Sequence, residues 1–428
     1  MRLEYIRSST LPFFPVGPDV PSLDPSHSIR DGMEMRPISR KMDALLAAHM
    51  RLLEFFMWFD PHSSREGIAD FVAGNPQEMP LPEYVAAIKR WSEPKRKDWF
   101  AYQMNVPEAQ RAVIASLAER RGVAFAEEDI ALTTGAFAGL EIAMRAVCDE
   151  GDEVIYLTPP WFFYDGIAQG LGLVPVKVRV DMKTFDIDVA AIERAITSRT
   201  RAIIVNSPNN PTGKAYPRAT LDRLAALLEA ASERNGRAIY LLSDEAYYRI
   251  LYDGRRYESP TESYPRSILI YTYGKQLLTP GERIGFLALA PTMPAGERRQ
   301  LRNAITMAQL VGGWSWPNAV LQYALADIDR LSVDIGKLER KRDRMIQGLR
   351  EAGYELHVPE GTFYLLPKSP WPDDWAFTKH LAESDVFVLP GEVVDLPGYF
   401  RISITASDAM IDKALPVFAA AAKERVPA

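Results

Sequence analysis

The chain has 428 residues, of which 47% are hydrophobic and 25% charged, with 50 basic against 56 acidic side chains and a formal net charge of -6. A chain of this length exceeds one hydrophobic core and predicts two lobes; its acidic balance argues against a nucleic-acid partner and for small solutes or protein surfaces. A single cysteine, Cys148, leaves no internal disulfide to form, which predicts a reducing, cytoplasmic setting.

Pro12, Pro15, Pro18, Pro21 and Pro25 break any early helix, so residues to about Arg30 are expected to form an irregular arm. The arm carries no continuous apolar core of the signal-peptide kind. Residues 38–59 then show an apolar-rich helical pattern, too interrupted by His49, Arg51 and Glu54 to span a membrane. Its end is crowded with Phe55, Phe56, Trp58 and Phe59, which read first as core or as a contact between two copies, and alternatively as the rim of a substrate mouth.

A short strand and turn at Asp70 to Pro76 and an aromatic run from Trp99 to Glu108 precede a stretch, from Ile130 onward, in which strand and helix patterns alternate. That alternation predicts a mainly parallel sheet covered by helices. Thr133, Thr134, Gly135, Ala136 and Phe137 join a strand to a helix over 138–147, and small residues at a helix N-terminus offer unpaired N–H groups to an anion. A strand over 153–157 runs into Pro159, Pro160, Trp161, Phe162, Phe163 and Tyr164; further strands are expected at 174–180 and 202–205, with a helix over 189–196 between them. The strand at 202–205 leads into Asn206 to Gly213, rich in Asn and Pro, and the one at 238–242 into Ser243, Asp244, Glu245, Ala246 and Tyr247. Open sheets of this class bind ligands at such strand ends.

Two apolar runs, 267–271 and 284–290, flank a loop holding Lys275 and Arg283. A lysine lodged between strands loses its charge usefully by forming an imine with an aldehyde, and an arginine entering a strand calls for an anion such as phosphate. Read alone, this stretch fits equally a solvated lysine and an ion-paired arginine. A helix expected over 319–349 bridges to a final segment with Gly361 to Tyr364, Val386 to Pro390, and Phe400, Arg401, Ile402 and Ser403.

Taken in this order, the motifs resemble those of the class I/II, aspartate aminotransferase-like family of pyridoxal-phosphate enzymes, from about Gly67 to the C-terminus. The resemblance implies an α/β fold of type I: a large domain with a mainly parallel seven-stranded sheet between helices, plus a smaller α/β domain. The expected division is an arm and helix at 1–66, the start of the small domain at 67–97, a cofactor domain at 98–317, and a bridging helix with the C-terminal small domain at 318–428. It further implies that Lys275 holds pyridoxal 5'-phosphate as an internal imine and shuttles the substrate proton. Thr272, Arg283 and the turn Gly135, Ala136, Phe137 would seat the phosphate, Trp161 would stack on the pyridine ring, and Asn210 and Tyr247 would bond its phenolic oxygen. Asp244 would keep the ring nitrogen protonated. Arg401, with Gly74 and Asn210 nearby, would grip the α-carboxylate of an L-amino acid or 2-oxo acid.

Two departures stand out. Where the family commonly has a hydroxyl one position before the lysine this chain has Gly274, which removes a phosphate donor worth about 1 kcal/mol or somewhat more. The family's tyrosine that reaches a neighbouring subunit's cofactor, in a homodimer with shared sites, falls on Phe100 by count and on Tyr102 by chemistry. The five histidines show no metal-ligand spacing, and Gly213 with Lys214 lacks the rest of a phosphate loop. The main alternative outcome is another reaction of the same cofactor: elimination or replacement, cyclisation, decarboxylation or oxygen-dependent oxidation. A non-catalytic regulator would need a DNA-binding head that the proline-rich arm does not offer.

Overall fold

Apolar runs bounded by turn residues become strands, and the strands that take the chain's longest aliphatic stretches sit at the centre of one sheet. The computed structural model describes residues 37–424, so the irregular arm expected to about residue 30 lies outside the described residues. Two helices, α1 (Arg40–Ala48) and α2 (Met50–Ser63), lead into a two-residue strand, β1 (Ala69–Asp70), and then α3 (Pro82–Ser92) and α4 (Pro107–Arg121).

The main sheet comprises β2 (Ile130–Thr133), β3 (Glu153–Thr158), β4 (Val174–Arg179), β5 (Thr200–Asn206), β6 (Tyr240–Asp244), β7 (Ser267–Thr272) and β8 (Gly285–Leu289). Interleaved with the strands are α5 (Ala136–Val147), α6 (Tyr164–Gly170), α7 (Val189–Ala195), α8 (Arg218–Asn235) and the single turn α9 (Tyr273–Gln276), with α10 (Ala295–Gly312) following. Spatial order is β2-β8-β7-β6-β5-β3-β4. Neighbours from β7 to β4 pair in parallel, while β8 runs antiparallel to both β7 and β2. Every residue of β6 and β7 is buried, as expected for strands covered by helices on both faces. The expected mainly parallel seven-stranded α/β sheet is therefore what forms.

This topology brings the ends of β2, β3, β5, β6 and β7 to one edge, where Thr133, Thr158, Asn206, Asp244 and Thr272 emerge and β8 begins beside them at Gly285.

Beyond the sheet come α11 (Ala319–Ile328), α12 (Ile335–Glu351), β9 (Tyr364–Leu365), α13 (Asp374–Glu383), β10 (Val386–Phe387), β11 (Leu389–Pro390), β12 (Phe400–Ser403) and α14 (Asp408–Ala421). An antiparallel sheet, β11-β12-β9, shares a core of Phe71, Phe363, Phe377, Phe400 and Phe418 with the helices around it. Strand β1 pairs in parallel with β10, so the chain's beginning is stitched to its end.

Three local expectations are corrected. The helix expected over 38–59 is two helices: His49 leaves helical geometry at φ -110° and ψ 14°, and its Nδ1 lies 2.9 Å from the Leu45 carbonyl, a side-chain contact that competes with the backbone ladder. The helix expected over 319–349 breaks between Ile328 and Ile335. There, Val333 donates to the Gln276 carbonyl, the Gln276 side chain donates to Leu331, and Asp334 caps the next helix. Lys275 sits not in a loop but in α9, whose start is capped by Thr272.

Candidate active site

The strand-end edge opens into a cavity of about 640 Å³. Its floor is set by the sheet. Asp244, at the end of β6, is buried, and its carboxylate accepts a 2.6 Å hydrogen bond from the Tyr164 hydroxyl and another from the Ala246 N–H. Burial pushes the Asp244 carboxyl above its usual range, while the Tyr164 bond, the Ala246 N–H and the charge of Lys275 oppose that rise. Asn206, at the end of β5, is tied to the same strand end: its amide donates to the Asp244 carbonyl, and its side-chain oxygen accepts from the Asn210 N–H at 2.7 Å.

One side of the cavity gathers donors around a helix N-terminus. Helix α5 starts at Gly135, whose φ of 90° favours glycine and which offers no side-chain cap to the first turn. A methyl group added there would stand 2.9 Å from Arg283 Nη2 and 3.4 Å from Thr272 Oγ1, so these two side chains crowd the helix N-terminus. Arg283 stays exposed towards the cavity and donates to the Pro280 carbonyl. The protein around it lowers its pKa, and no carboxylate opposes that. Close by, Thr134 Oγ1 is buried without a partner.

Opposite lies Arg401 on β12, only 3% exposed. Its guanidinium donates to Asn210 Oδ1 at 3.1 Å and to the Val72 carbonyl at 2.7 Å, and stands 4.2 Å from the centroid of the Tyr364 ring. Nε has no partner, and burial lowers the group's pKa. Lys275 reaches the space between, half-buried, with Nζ 5.7 Å from the Tyr247 ring centroid. The Tyr247 hydroxyl lies 3.5 Å from that of Tyr364, and burial drives its pKa well up.

Of the residues singled out from sequence, Gly74, Ala136, Phe137, Trp161, Asn210, Asp244, Tyr247, Thr272, Lys275, Arg283 and Arg401 all line this one cavity, and Gly135 abuts it through Arg283. Tyr102 does not line it: that side chain is 83% exposed and tilts against Trp316, with ring centroids 4.8 Å apart. Gly74 is sterically required, since a methyl group would meet the Phe363 ring at 2.3 Å and the Tyr364 hydroxyl at 2.7 Å. Gly213 and Lys214, set aside as a phosphate loop, form a junction instead: Lys214 pairs with Glu360 at 3.0 Å, and Gly213 faces Pro359.

Sequence reading gave no role to Tyr164, Phe162, Asn206 or Tyr364. Tyr164 and Phe162 lie in a run of four aromatics, and only the turn into α6 decides which ring faces which way. Phe56 lines the cavity, whereas Phe55 and Phe59 beside it pack against Trp375 and Phe387. Of the crowded aromatics at that helix end, Phe56 thus reaches the cavity while Phe55 and Phe59 pack as core.

An uncapped helix N-terminus beside Arg283, a lysine between sheet and opening, a carboxylate at the floor and a buried arginine with an unpartnered Nε thus share one cavity. Residues 66–418 match the family model for aminotransferase class I and II. The chain belongs to that family, whose members move an amino group between an amino acid and a 2-oxo acid, and the transamination expected from its motifs holds. It is 29% identical over 395 residues to an aspartate/prephenate aminotransferase of Thermus thermophilus, covering 91% of this chain and 98% of that protein. It is also 31% identical over 373 residues to an aspartate aminotransferase of Rhizobium meliloti, covering 82% and 87% of the two chains. Among solved structures, an aminotransferase of Eubacterium rectale superposes with a TM-score of 0.83 at 29% identity, covering 91% of this chain and 99% of that one. A Thermus thermophilus aspartate aminotransferase mutant gives 0.75 at 27% identity, covering 90% and 100%.

Proposed function

We propose that this aminotransferase works with pyridoxal 5'-phosphate seated in the cavity, that Lys275 holds it and moves the substrate proton, and that Arg401 grips the α-carboxylate of an L-amino acid or 2-oxo acid. The observation that carries this reading is a contrast among cations. Arg121, Arg249 and Arg342 are each paired with a carboxylate, whereas Lys275, Arg283 and Arg401 line one cavity and none of them forms an ion pair among the described residues.

The residues present fit the cofactor. The uncapped start of α5, Thr272, Arg283 and the unpartnered Thr134 hydroxyl suit a phosphate dianion, and the space at Gly135 would be lost to any side chain. Asp244 suits a cationic ring nitrogen, Trp161 a ring face, and Asn210 and Tyr247 a phenolic oxygen. When bound, pyridoxal 5'-phosphate supplies an electron sink for bonds to the substrate α-carbon. Asp244 would support that role as a carboxylate, the form that the Tyr164 hydroxyl and the Ala246 N–H stabilise against burial. Arg401, held by Asn210 and the Val72 carbonyl, presents fixed donors to a carboxylate, which orients the α-carbon towards Lys275. Lys275 Nζ, once displaced by the incoming amine, would take the α-proton as general base and, as general acid, deliver it to the cofactor's aldehyde carbon rather than back to the α-carbon, a role worth about 100- to 10,000-fold in rate.

The expected organisation is a homodimer in the cytoplasm. Exposed apolar side chains support the dimer: Tyr102 against Trp316, Phe100, and Met307, Leu310 and Val311 along α10. Among the described residues no helix is long and apolar enough to cross a membrane. The domain division at 67–97, 98–317 and 318–428 remains our proposal, supported by the separate sheets on either side of it.

Absorbance spectroscopy tests the site. Wild-type protein given pyridoxal 5'-phosphate should show a visible band that an L-amino acid abolishes and a 2-oxo acid restores, and Lys275→Ala should show no such band and at least about 100-fold less turnover. A Lys275→Ala variant with the wild-type band and spectral response would overturn the assignment.

A further inference from the structure

We infer that this site selects amino acids with apolar, above all aromatic, side chains rather than dicarboxylates, and that Phe56 and Phe162 determine that selection. The inference rests on the reading of the cavity given above, with Arg401 as the α-carboxylate anchor.

The cations in the cavity are already committed. Among the described lining residues they are Lys275, Arg283 and Arg401: one for the amine chemistry, one for the phosphate seat, one for the α-carboxylate. What adjoins Arg401 instead is aromatic. The Phe162 ring centroid stands 5.9 Å from the Arg401 guanidinium carbon, and Phe56 lies edge-on to Phe162 with centroids 6.2 Å apart. Trp161 continues the wall at 6.4 Å from Phe162. A substrate anchored on Arg401 therefore runs its side chain along carbon. Among the described lining residues a second carboxylate there would lose its hydration with no further cation to offset the loss, while an apolar or aromatic side chain gains contact and ring stacking. The other charge in the cavity, the Asp244 carboxylate, is of the wrong sign to help a dicarboxylate.

Phe56 is held for this work. It is 2% exposed and shares one core with its helix neighbours: Phe55 lies edge-on to Phe56 at 5.4 Å and to Trp375 at 5.9 Å, and Phe59 packs on Phe387 at 5.6 Å. Arg51, one turn earlier on the same helix, is engaged with Glu54 and Glu392 and lies over Trp375. It is therefore not available as a distal cation. Relatives named for aspartate share the fold and much of the sequence, so the departure proposed here is local to this wall.

Two measurements on the cofactor-loaded enzyme decide the matter. In steady-state assays with a common 2-oxo acid, kcat/KM for L-phenylalanine should exceed that for L-aspartate by about 100-fold. Phe56→Ala and Phe162→Ala should each lower the value for L-phenylalanine by roughly 10- to 100-fold. Turnover of L-alanine, whose side chain does not reach the wall, should change far less, which separates loss of the wall from loss of folding. Phe56→Leu should restore most of the loss for L-leucine. Independently of turnover, isothermal titration calorimetry should show 3-phenylpropionate binding more tightly than succinate. Aspartate turned over as well as phenylalanine, or succinate bound as tightly as 3-phenylpropionate, would overturn the inference and point to a distal cation supplied by a second copy of the chain. If no amino acid were turned over, the proposed function would fail, and the calorimetric comparison would still decide the character of the wall.

Discussion

Asp244 and Tyr164 set the electrostatics of the cavity floor. The tyrosine hydroxyl stabilises the carboxylate that burial disfavours, so its loss lets the Asp244 pKa rise further. Tyr164→Phe is expected to lower kcat/KM by about 1.5–3 kcal/mol in transition-state terms, the range for a hydrogen bond to a charged group. It should also move the pH midpoint of the bound cofactor's spectrum; an unchanged pH titration would show that Tyr164 only packs. Gly274 makes a second case. A methyl group there would stand 3.1 Å from Pro280 Cα and 3.2 Å from the Thr279 carbonyl, so a side chain at this position is crowded by the loop that closes over α9. Gly274→Ser should therefore cost about 1–3 kcal/mol of stability, read as a lower melting temperature, with no gain in cofactor affinity. A tighter dissociation constant at unchanged melting temperature would mean that the loop yields. That Lys275, Asp244 and Arg401 would share one cavity was legible in the sequence, because the chemistry proposed for each narrows the choice of residue type. Tyr164 was not, because any of four consecutive rings could have faced the floor.

Strand β1 shows what elements add. Its Asp70 carboxylate accepts from the Val72 N–H at 2.9 Å, and the Val72 carbonyl in turn accepts from Arg401. Burial raises the Asp70 pKa from 3.8 to about 6. The folded state therefore holds a proton that the unfolded chain has released, so this group's contribution to stability falls as pH rises from about 4 to 6 and is level above that. Asp70→Asn keeps a neutral acceptor for Val72 and should stabilise the protein at pH 7 by at most about 3 kcal/mol. The check is chemical denaturation at pH 4.5 and pH 7, where the gain should shrink at the lower pH; a gain equal at both would exclude Asp70 as its source. Strand positions were readable because apolar runs end at turn residues. The two helix breaks were not, since the groups that interrupt them are a single histidine's contact with its own helix and tertiary bonds from Gln276.

At the scale of the whole molecule, the exposed apolar side chains Phe100, Tyr102, Trp316 and those of α10 lead us to predict association of two copies. Val311, 65% exposed, is a sparing place to test it. Val311→Glu should leave the melting curve of the monomer unit intact yet shift the species seen by sedimentation velocity from dimer to monomer at micromolar concentration; a dimer undisturbed by the charge would place the contact elsewhere. The fold class was legible because alternating strands and helices leave few alternatives. The pairing of β1 with β10 was not, because no local pattern records which distant segments will meet.

That pairing orders events at the ribosome. Everything proposed to seat the cofactor, from Thr134 to Arg283, lies within the main sheet and its loops, and is synthesised by the end of β8. The substrate clamp needs Val72 from the start of the chain and Arg401 from near its end. At bacterial-to-eukaryotic elongation rates of about 5–20 residues per second, roughly 5–20 s separate the two. The order of synthesis thus brings out every residue proposed to seat the cofactor before the proposed clamp on the substrate can form.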